Sequence, residues 1–282
     1  MDSRILIGVV FGLVLVAFGG FYFALSPRSS DVLPGAPAPN PVARAPATAD
    51  SAAPAPLPPP APPPMATAAS IEAEMALSDQ AELLALLKKN FPEEYNKLIE
   101  TAVRRRNEGA SDTQFGQELY AGVQEIMRTK LKYGVGATMP TIDRLAANEA
   151  SLFHALGTDG ARFCMRMLGK DDTPADGPQP DSVRQLMQLG TLYRFQAAVE
   201  GLANTKPVDA LSAEEMRSFE GSLAREGLNL KEVTTGTYLN AGAGNPGKPC
   251  LTLETLHLAI ARLPEATRRK IYAGMFFLGR DK

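Results

Sequence analysis

An uninterrupted apolar segment near the amino terminus limits where the rest of the chain can fold. Residues 5–25, ILIGVVFGLVLVAFGGFYFAL, contain no charged side chain. A helix rises about 1.5 Å per residue, so a segment of this length crosses a hydrocarbon core about 30 Å thick. The segment therefore predicts a single transmembrane anchor in contact with the lipid bilayer. The alternative is a cleaved signal peptide, whose apolar core is shorter, at about 7–15 residues.

The flanks of the anchor predict its orientation. Residues 1–4 form a short head, and arginines lie on both sides of the apolar segment, so the positive-inside rule separates the two sides poorly. A short head favours an amino terminus that stays in the cytoplasm. The chain is then predicted to be a single-pass protein of the inner membrane with a periplasmic carboxyl-terminal domain. Gly8 and Gly12 have GxxxG spacing, a weak signal for self-association, although glycine is common in membrane helices without that role.

The composition changes abruptly after the anchor. Residues 26–69 are dominated by proline and alanine and include the tract PLPPPAPPP. Such a segment lacks backbone donors and bulky apolar side chains, so it forms neither a strand ladder nor a core. It is predicted to be a disordered spacer, partly in the polyproline II conformation at about 3.1 Å per residue. The alternative is a proline-rich ligand for an aromatic groove, because the tract contains PxxP spacing.

Residues 70–282 predict an all-α globular domain with about seven to nine helices, exported from the cytoplasm. Apolar residues recur there at helical spacing, and signals for helix starts and stops recur between them. These signals are Pro92 at a first helical position, Ser111 and Thr252 as N-caps, Ser212 with Glu215 as a capping box, and Gly109 as a stop.

Three features of this domain set its expected layout. Residues 71–90, IEAEMALSDQAELLALLKKN, are predicted as one helical stretch. The only stretch of β character is VTTGTYL, residues 233–239. Elsewhere in the domain, apolar residues recur at helical spacing. A single domain is the favoured interpretation, and two subdomains divided at the loop of residues 171–181 are the alternative.

The segment GAGNPGKPC, residues 242–250, resembles a phosphate-binding loop. Gly242, Gly247 and Lys248 fit the pattern GxxxxGK, but Pro249 stands where a serine or threonine would bind magnesium. Proline also removes a backbone N–H from the loop, and no strand–helix–strand pattern surrounds it. Nucleotide binding is therefore not predicted, and no cofactor is expected. The glycines are expected to let the chain turn between two helices.

The chain contains two cysteines, Cys164 and Cys250, separated by 86 residues. An even number of cysteines in an exported domain predicts a disulfide. The bridge would attach the start of a late helix to the segment ARFCMRML. One alternative is a pair of buried, reduced thiols. Another is a nucleophilic Cys164 whose pKa is lowered by Arg162 and Arg166, but the sequence offers no positioned base for it.

The chain has two histidines, His154 and His257. Glu254 and His257 form an ExxH pair, which is half of a carboxylate-bridged di-iron site. Such a site needs a second pair and further glutamates, and the five-residue step from Glu149 to His154 does not place those two on one helical face. No metal site and no catalytic residue are therefore predicted, and the histidines are expected in the core or at the surface.

The basic residues give no strong signal for a partner. The formal net charge is −2, so no nucleic-acid partner is predicted. The arginines of residues 104–106 are expected to cap a helix end in solvent. Residues 268–270, RRK, precede IYAGMFFLG, which is expected to pack against the core as the last helix. The alternative is that this basic and apolar segment lies on an anionic membrane surface.

Two functional hypotheses follow from these patterns. The first is a membrane-anchored binding or structural module of the bacterial envelope, with an unknown envelope protein or the cell wall as partner. The absence of a complete catalytic constellation in the sequence favours it. The second is an envelope enzyme, a hydrolase that uses paired carboxylates on a polymer such as the cell wall.

Overall fold

A computed structural model describes residues 65–170, 179–204 and 207–277. These ranges form eleven α-helices and two 3₁₀ helices and contain no strand, which confirms the all-α class and corrects the predicted number of helices upward. Residues 233–239, the stretch of β character, form no strand; they lie at the end of one helix, in a turn at Gly236 and at the start of a 3₁₀ helix. Each helix in the described ranges is too short or too polar to cross a bilayer. The predicted anchor and most of the predicted spacer lie outside the described residues.

Most of the helices are joined by connections of four residues or fewer. The first seven are α1 (Ala68–Ala76), α2 (Ala81–Asn90), α3 (Pro92–Asn107), α4 (Asp112–Lys130), α5 (Met139–Thr158), α6 (Ala161–Met167) and α7 (Asp181–Leu202). The last four are α8 (Ala213–Arg225), α9 (Leu230–Thr235), α10 (Lys248–Ala261) and α11 (Glu265–Phe276). The 3₁₀ helices are η1 (Leu131–Gly136), after α4, and η2 (Thr237–Ala243), after α9.

The prediction of one helical stretch over residues 71–90 is wrong, because the chain breaks between α1 and α2. In a continuous helix with about 100° per residue, the buried faces of these two helices would point roughly 150° apart. The break at residues 77–80 turns both faces toward the core and leaves Leu77 90% exposed. The buried side chains are Ile71 and Met75 in α1 and Leu83, Leu84 and Leu87 in α2.

Most of the predicted helix ends are confirmed. Ser111 and Ser212 each form a capping box, with Gln114 and Glu215 respectively. Pro92 opens α3, and Gly109 follows that helix with a φ of 81°. The prediction of Thr252 as an N-cap is wrong. The helix α10 begins at Lys248, and the Thr252 hydroxyl donates to the Lys248 carbonyl inside the helix.

The boundary between the predicted spacer and the folded domain lies slightly earlier than residue 70. Thr67 and Ser70 form a capping box at the start of α1. The Ala66 N–H donates to Asn107 Oδ1 at 2.7 Å, and Asn107 Nδ2 donates back to the Ala66 carbonyl at 3.1 Å. The composition of residues 65–69 resembles that of the spacer, but these hydrogen bonds join them to the fold.

The central helices α5 and α7 pack against each other, and α10 packs on the other side of α5. The 3₁₀ helix η1 lies directly on the last turns of α7. A Cβ atom at Gly201 would lie 1.6 Å from the Tyr133 carbonyl oxygen, so only glycine permits this backbone contact. The contact brings the carboxyl end of α7 and the entrance to α5 together. There Glu200 accepts hydrogen bonds from Thr138 and Thr141.

Candidate functional site

The segment GAGNPGKPC lies where η2 ends and α10 begins. The chain turns between these two helices, as expected, but Gly247 has an ordinary φ of −79°, so its backbone conformation does not require glycine. A Cβ atom there would lie 2.1 Å from the Gly157 carbonyl oxygen at the end of α5. A Cβ atom at Gly242 would meet the Met165 sulfur at 2.4 Å. These two glycines serve close packing, and Pro249 is buried in the first turn of α10.

Cys250 follows directly in the same turn, and it forms a disulfide with Cys164 of α6. The two Cα atoms are 5.9 Å apart, and both residues are fully buried. The sulfur of Cys164 is therefore bonded and shielded from solvent, which does not suit a nucleophile. Arg162 is exposed and lies over the Phe163 ring, on a different side of α6 from the buried sulfur.

A buried ion pair joins the two central helices. Arg194 Nη2 of α7 lies 2.6 Å from Glu149 Oε1 of α5. Glu149 is 0% exposed and Arg194 is 8% exposed. Asn148, next to this glutamate, donates from Nδ2 to the Leu186 carbonyl at 2.9 Å. The interface between α5 and α7 thus contains a charged and polar patch inside an otherwise apolar core, which sequence analysis did not predict.

His257 of α10 lies in an aromatic enclosure. Its ring centroid is 5.7 Å from that of Phe153, 5.9 Å from that of Tyr272 and 6.0 Å from that of Phe276. The Tyr272 hydroxyl donates to the His257 carbonyl at 3.3 Å. Burial and, to a smaller extent, the positive charge of Arg194 together lower the pKa of His257 to about 3. The imidazole is therefore neutral at physiological pH.

The two residues of the ExxH pair do not converge on one site. His257 faces the core, whereas Glu254 binds His154 at the surface, with 3.1 Å from Nδ1 to each carboxylate oxygen. Within the described ranges, no group of three or more histidine, cysteine or acidic side chains could hold a metal ion. Glu254, the glutamate of the ExxH pair, instead connects α10 to α5 through His154.

The buried histidine predicts a pH dependence of stability. The folded pKa of His257 lies below the unfolded value of 6.5, so the unfolded chain binds the additional proton and stability falls as the pH falls through 6.5. The free energy of unfolding is expected to decrease by about 2 kcal/mol between roughly pH 7.5 and 5. Urea unfolding at several pH values measures this slope.

Two variants separate the contribution of His257 from that of other groups. His257→Leu is expected to remove most of the slope, because leucine does not titrate. His154→Gln changes the only other histidine, which is exposed, and is expected to keep the slope. An equal slope in the wild type and in His257→Leu would contradict the assignment.

The two basic clusters make contacts within the chain. Arg105 pairs with Glu108 and Glu118, and Arg106 pairs with Glu74 and Asp112. The prediction of solvated charges at this helix end is therefore incomplete, because these pairs connect α3 to α1 and α4. Only Arg104 of the three is exposed.

The second cluster, residues 268–270, lies at the start of α11. Arg268 binds Asp143 at 3.0 Å, and Lys270 binds Glu215 at 2.9 Å. Arg269 donates to the Val135 carbonyl at 3.2 Å. The apolar residues that follow are buried, which confirms that the last helix packs against the core; they are Ile271, Tyr272, Met275 and Phe276. Leu278, which was expected to join them, lies outside the described residues.

Six glutamates of the described ranges have a displaced pKa. Wherever the pKa of a carboxyl group is displaced, the displacement is downward. The cause is a hydrogen-bonded cation in most cases, as for Glu94 with Lys130 and Glu215 with Lys270. Burial raises the pKa of Glu200, but hydrogen bonds from threonines outweigh it. The affected residues are Glu72, Glu94, Glu118, Glu125, Glu200 and Glu215.

Comparison of the chain with protein-family models, with curated proteins and with solved structures finds no match. A function for the chain must therefore be argued from its own residues.

Proposed function

We propose that the chain is a membrane-anchored protein of the bacterial envelope whose helical domain is an extracytoplasmic binding or structural module. The observation that carries this proposal is the fully buried disulfide between Cys164 and Cys250. Structural disulfides form and persist in oxidising compartments such as the periplasm. Residues 5–25 have the length and composition of an anchor, and the proline-rich residues that follow suit a spacer.

The internal polar residues support a structural role rather than a catalytic one. Glu149 and Arg194 neutralise each other inside the core, and His257 is enclosed by aromatic rings. The displaced carboxyl groups have lowered pKa values, whereas a glycosidase acid needs a raised one. The hydrolase hypothesis gains no support from these residues. A rigid helical domain held away from the bilayer by a spacer is suited to binding a partner.

A reporter fusion tests the export on which the proposal depends. Alkaline phosphatase fused after Lys282 is active only in an oxidising compartment outside the cytoplasm. The fusion to the full chain is expected to be active and to sediment with membranes. The same fusion without residues 5–25 is the matched control, and it is expected to be inactive and to stay in the cytosol. An inactive full-length fusion, produced at normal levels, would contradict the proposed location.

Crosslinking in intact cells tests the binding role separately. A short amine-reactive crosslinker is expected to convert part of the full-length chain into a discrete species of higher mass. The chain without residues 5–25 is expected to lack that species, because it does not reach the envelope. A full-length chain that stays monomeric over a range of crosslinker concentrations would contradict the binding role and leave the location unaffected. Recovery of fragments of cell-wall polymer in the species would identify the wall as the partner.

A further inference from the structure

The first helix of the domain, α1, lies at the point where the proline-rich segment enters the fold. Two buried side chains attach it, Ile71 and Met75, and its main contacts are with α2 and α3. The central helix α5, by contrast, buries eleven side chains. Local opening is easiest in elements with few buried apolar contacts. The attachment of α1 is therefore weaker than that of α5.

Most polar contacts of α1 lie at its exposed edge. Glu72 binds Lys88 of α2 at 2.9 Å, and Glu74 pairs with Arg106 of α3. Glu72 also hydrogen-bonds the buried Tyr95 of α3. In both pairs at least one side chain is half exposed, and exposed ion pairs stabilise little. The backbone of Ala66, just before the helix, is attached through the Asn107 amide. These contacts hold α1 in position at the surface of the domain, but they do not bury it in the core.

The connection between α1 and α2 has an apolar side chain in an unfavourable place. Leu77 is 90% exposed, and at the other end of α1 Met65 is 78% exposed; these are the highest values among the large apolar side chains of the described ranges. In a continuous helix over α1 and α2, Leu77 would lie seven residues before Leu84 and extend its apolar stripe. The bent connection therefore exposes a side chain that a straight helix would place on the apolar face of α2.

We propose that α1 is a releasable clasp. In the open form, α1 leaves α3, the connection at residues 77–80 becomes helical, and α1 and α2 form one continuous helix while the rest of the domain stays folded. The sequence of residues 71–90 is compatible with both forms, because apolar residues recur at helical spacing throughout it. Opening gives up the docking of Ile71 and Met75 and the ion pairs of α1 with α2 and α3. That a pull on the spacer opens the clasp rests on the proposed function, since such a pull acts first on the residues just before α1.

Hydrogen exchange measured by mass spectrometry on the full chain in detergent micelles tests the clasp. Amides of α1 are expected to exchange about 100-fold or more faster than those of α5. Ile71→Ala is expected to accelerate the amide exchange of α1 by a further factor of about 30 or more, because it removes one of the two buried side chains. The exchange rates of α5 are expected to stay unchanged. Ala73→Ser, at an exposed position of the same helix, is the matched control and is expected to change little.

Substitutions at Asp79 test whether the open form is a continuous helix. This side chain is exposed in the connection. Alanine favours a helix over glycine. A thiol placed at the buried position by Met75→Cys is reached only when α1 leaves α3, so it is expected to react with a soluble alkylating agent about 5-fold faster in Asp79→Ala than in Asp79→Gly. If α1 opened into a flexible segment instead, glycine would favour opening and the order would reverse, which would overturn the continuous helix.

A second outcome would overturn the clasp itself. If α1 and α5 exchange at the same rate in the wild type and in Ile71→Ala, then α1 belongs to the global folding unit. This outcome is independent of the reporter fusion. A cytoplasmic location would contradict only the claim that a pull on the spacer opens the clasp. Equal exchange rates would contradict the clasp and leave the proposed location unaffected.

Discussion

Replacing Glu149 by alanine is expected to destabilise the domain by about 3–5 kcal/mol. The substitution leaves Arg194, which is 8% exposed, inside the core without its carboxylate. A buried charge without its partner costs far more than the pair contributes, because water no longer solvates it. The shift in the midpoint of urea or thermal unfolding measures the effect, and an intact helical circular-dichroism spectrum verifies that the variant folds.

The double variant Glu149→Met/Arg194→Leu separates the cost of an isolated charge from the value of the pair. It removes both charges and is expected to recover most of the lost stability, or to exceed the wild type, as apolar replacements of buried ion pairs do elsewhere. Glu254→Ala breaks the surface pair with His154 and is the matched control, with an expected change within about 0.5 kcal/mol. A loss below about 1 kcal/mol for Glu149→Ala would contradict the burial of the pair.

The sequence contained a signal for this ion pair that spacing rules alone did not reveal. Glu149 lies in the apolar stripe of α5, four residues after Leu145 and four before Phe153. A charged residue in such a stripe either interrupts the stripe or finds a buried partner. Only the packing of α5 on α7 shows that the partner is Arg194. The five-residue step from Glu149 to His154 argued against a shared metal site, but it gave no indication of Arg194 as the partner.

The fold was predictable where the determinants are local. The helix starts at Ser111 and Ser212 depend on side chains that bond within their own first turn, so sequence alone was sufficient. The break at residues 77–80 was not predictable in this way. Each of its flanking segments favours a helix, and only the need to bury two differently oriented apolar faces separates them. One of the helices in excess of the predicted number comes from this break, and another is α9, which was not predicted.

The start of α10 shows how a tertiary contact decides between two local signals. Thr252 can cap a helix and Pro249 can open one, and both signals are present within a few residues. The structure starts the helix at Lys248, just before the proline. The close contact of Gly247 with the Gly157 carbonyl and the bond from Cys250 to Cys164 hold this first turn against α5 and α6. The bond was predicted from the two cysteines, but the contact of Gly247 is not visible in the sequence near Thr252.

Removing the disulfide is expected to destabilise the domain by about 4–5 kcal/mol if the cross-link acts mainly on the unfolded chain. The bridge closes a loop with a sequence separation of 86 residues, and the entropy that it removes from the unfolded state grows with the logarithm of that length. The double variant Cys164→Ala/Cys250→Ala is the cleanest test, because it leaves no free thiol to form other bonds. Thermal unfolding of the oxidised wild type and of this variant measures the difference.

The location of the bridge in the core gives this prediction a second, kinetic part. Both cysteines are fully buried, so a reductant reaches the bond only when the surrounding helices open. Dithiothreitol is expected to leave the folded protein oxidised at 25 °C and to lower the melting temperature during a thermal scan. Alkylation under denaturing conditions should then detect no free thiol before reduction and two after it. Two free thiols in protein taken directly from cells would contradict both the bridge and the oxidising compartment. A double variant as stable as the wild type would show that helix packing alone holds α6 against α10.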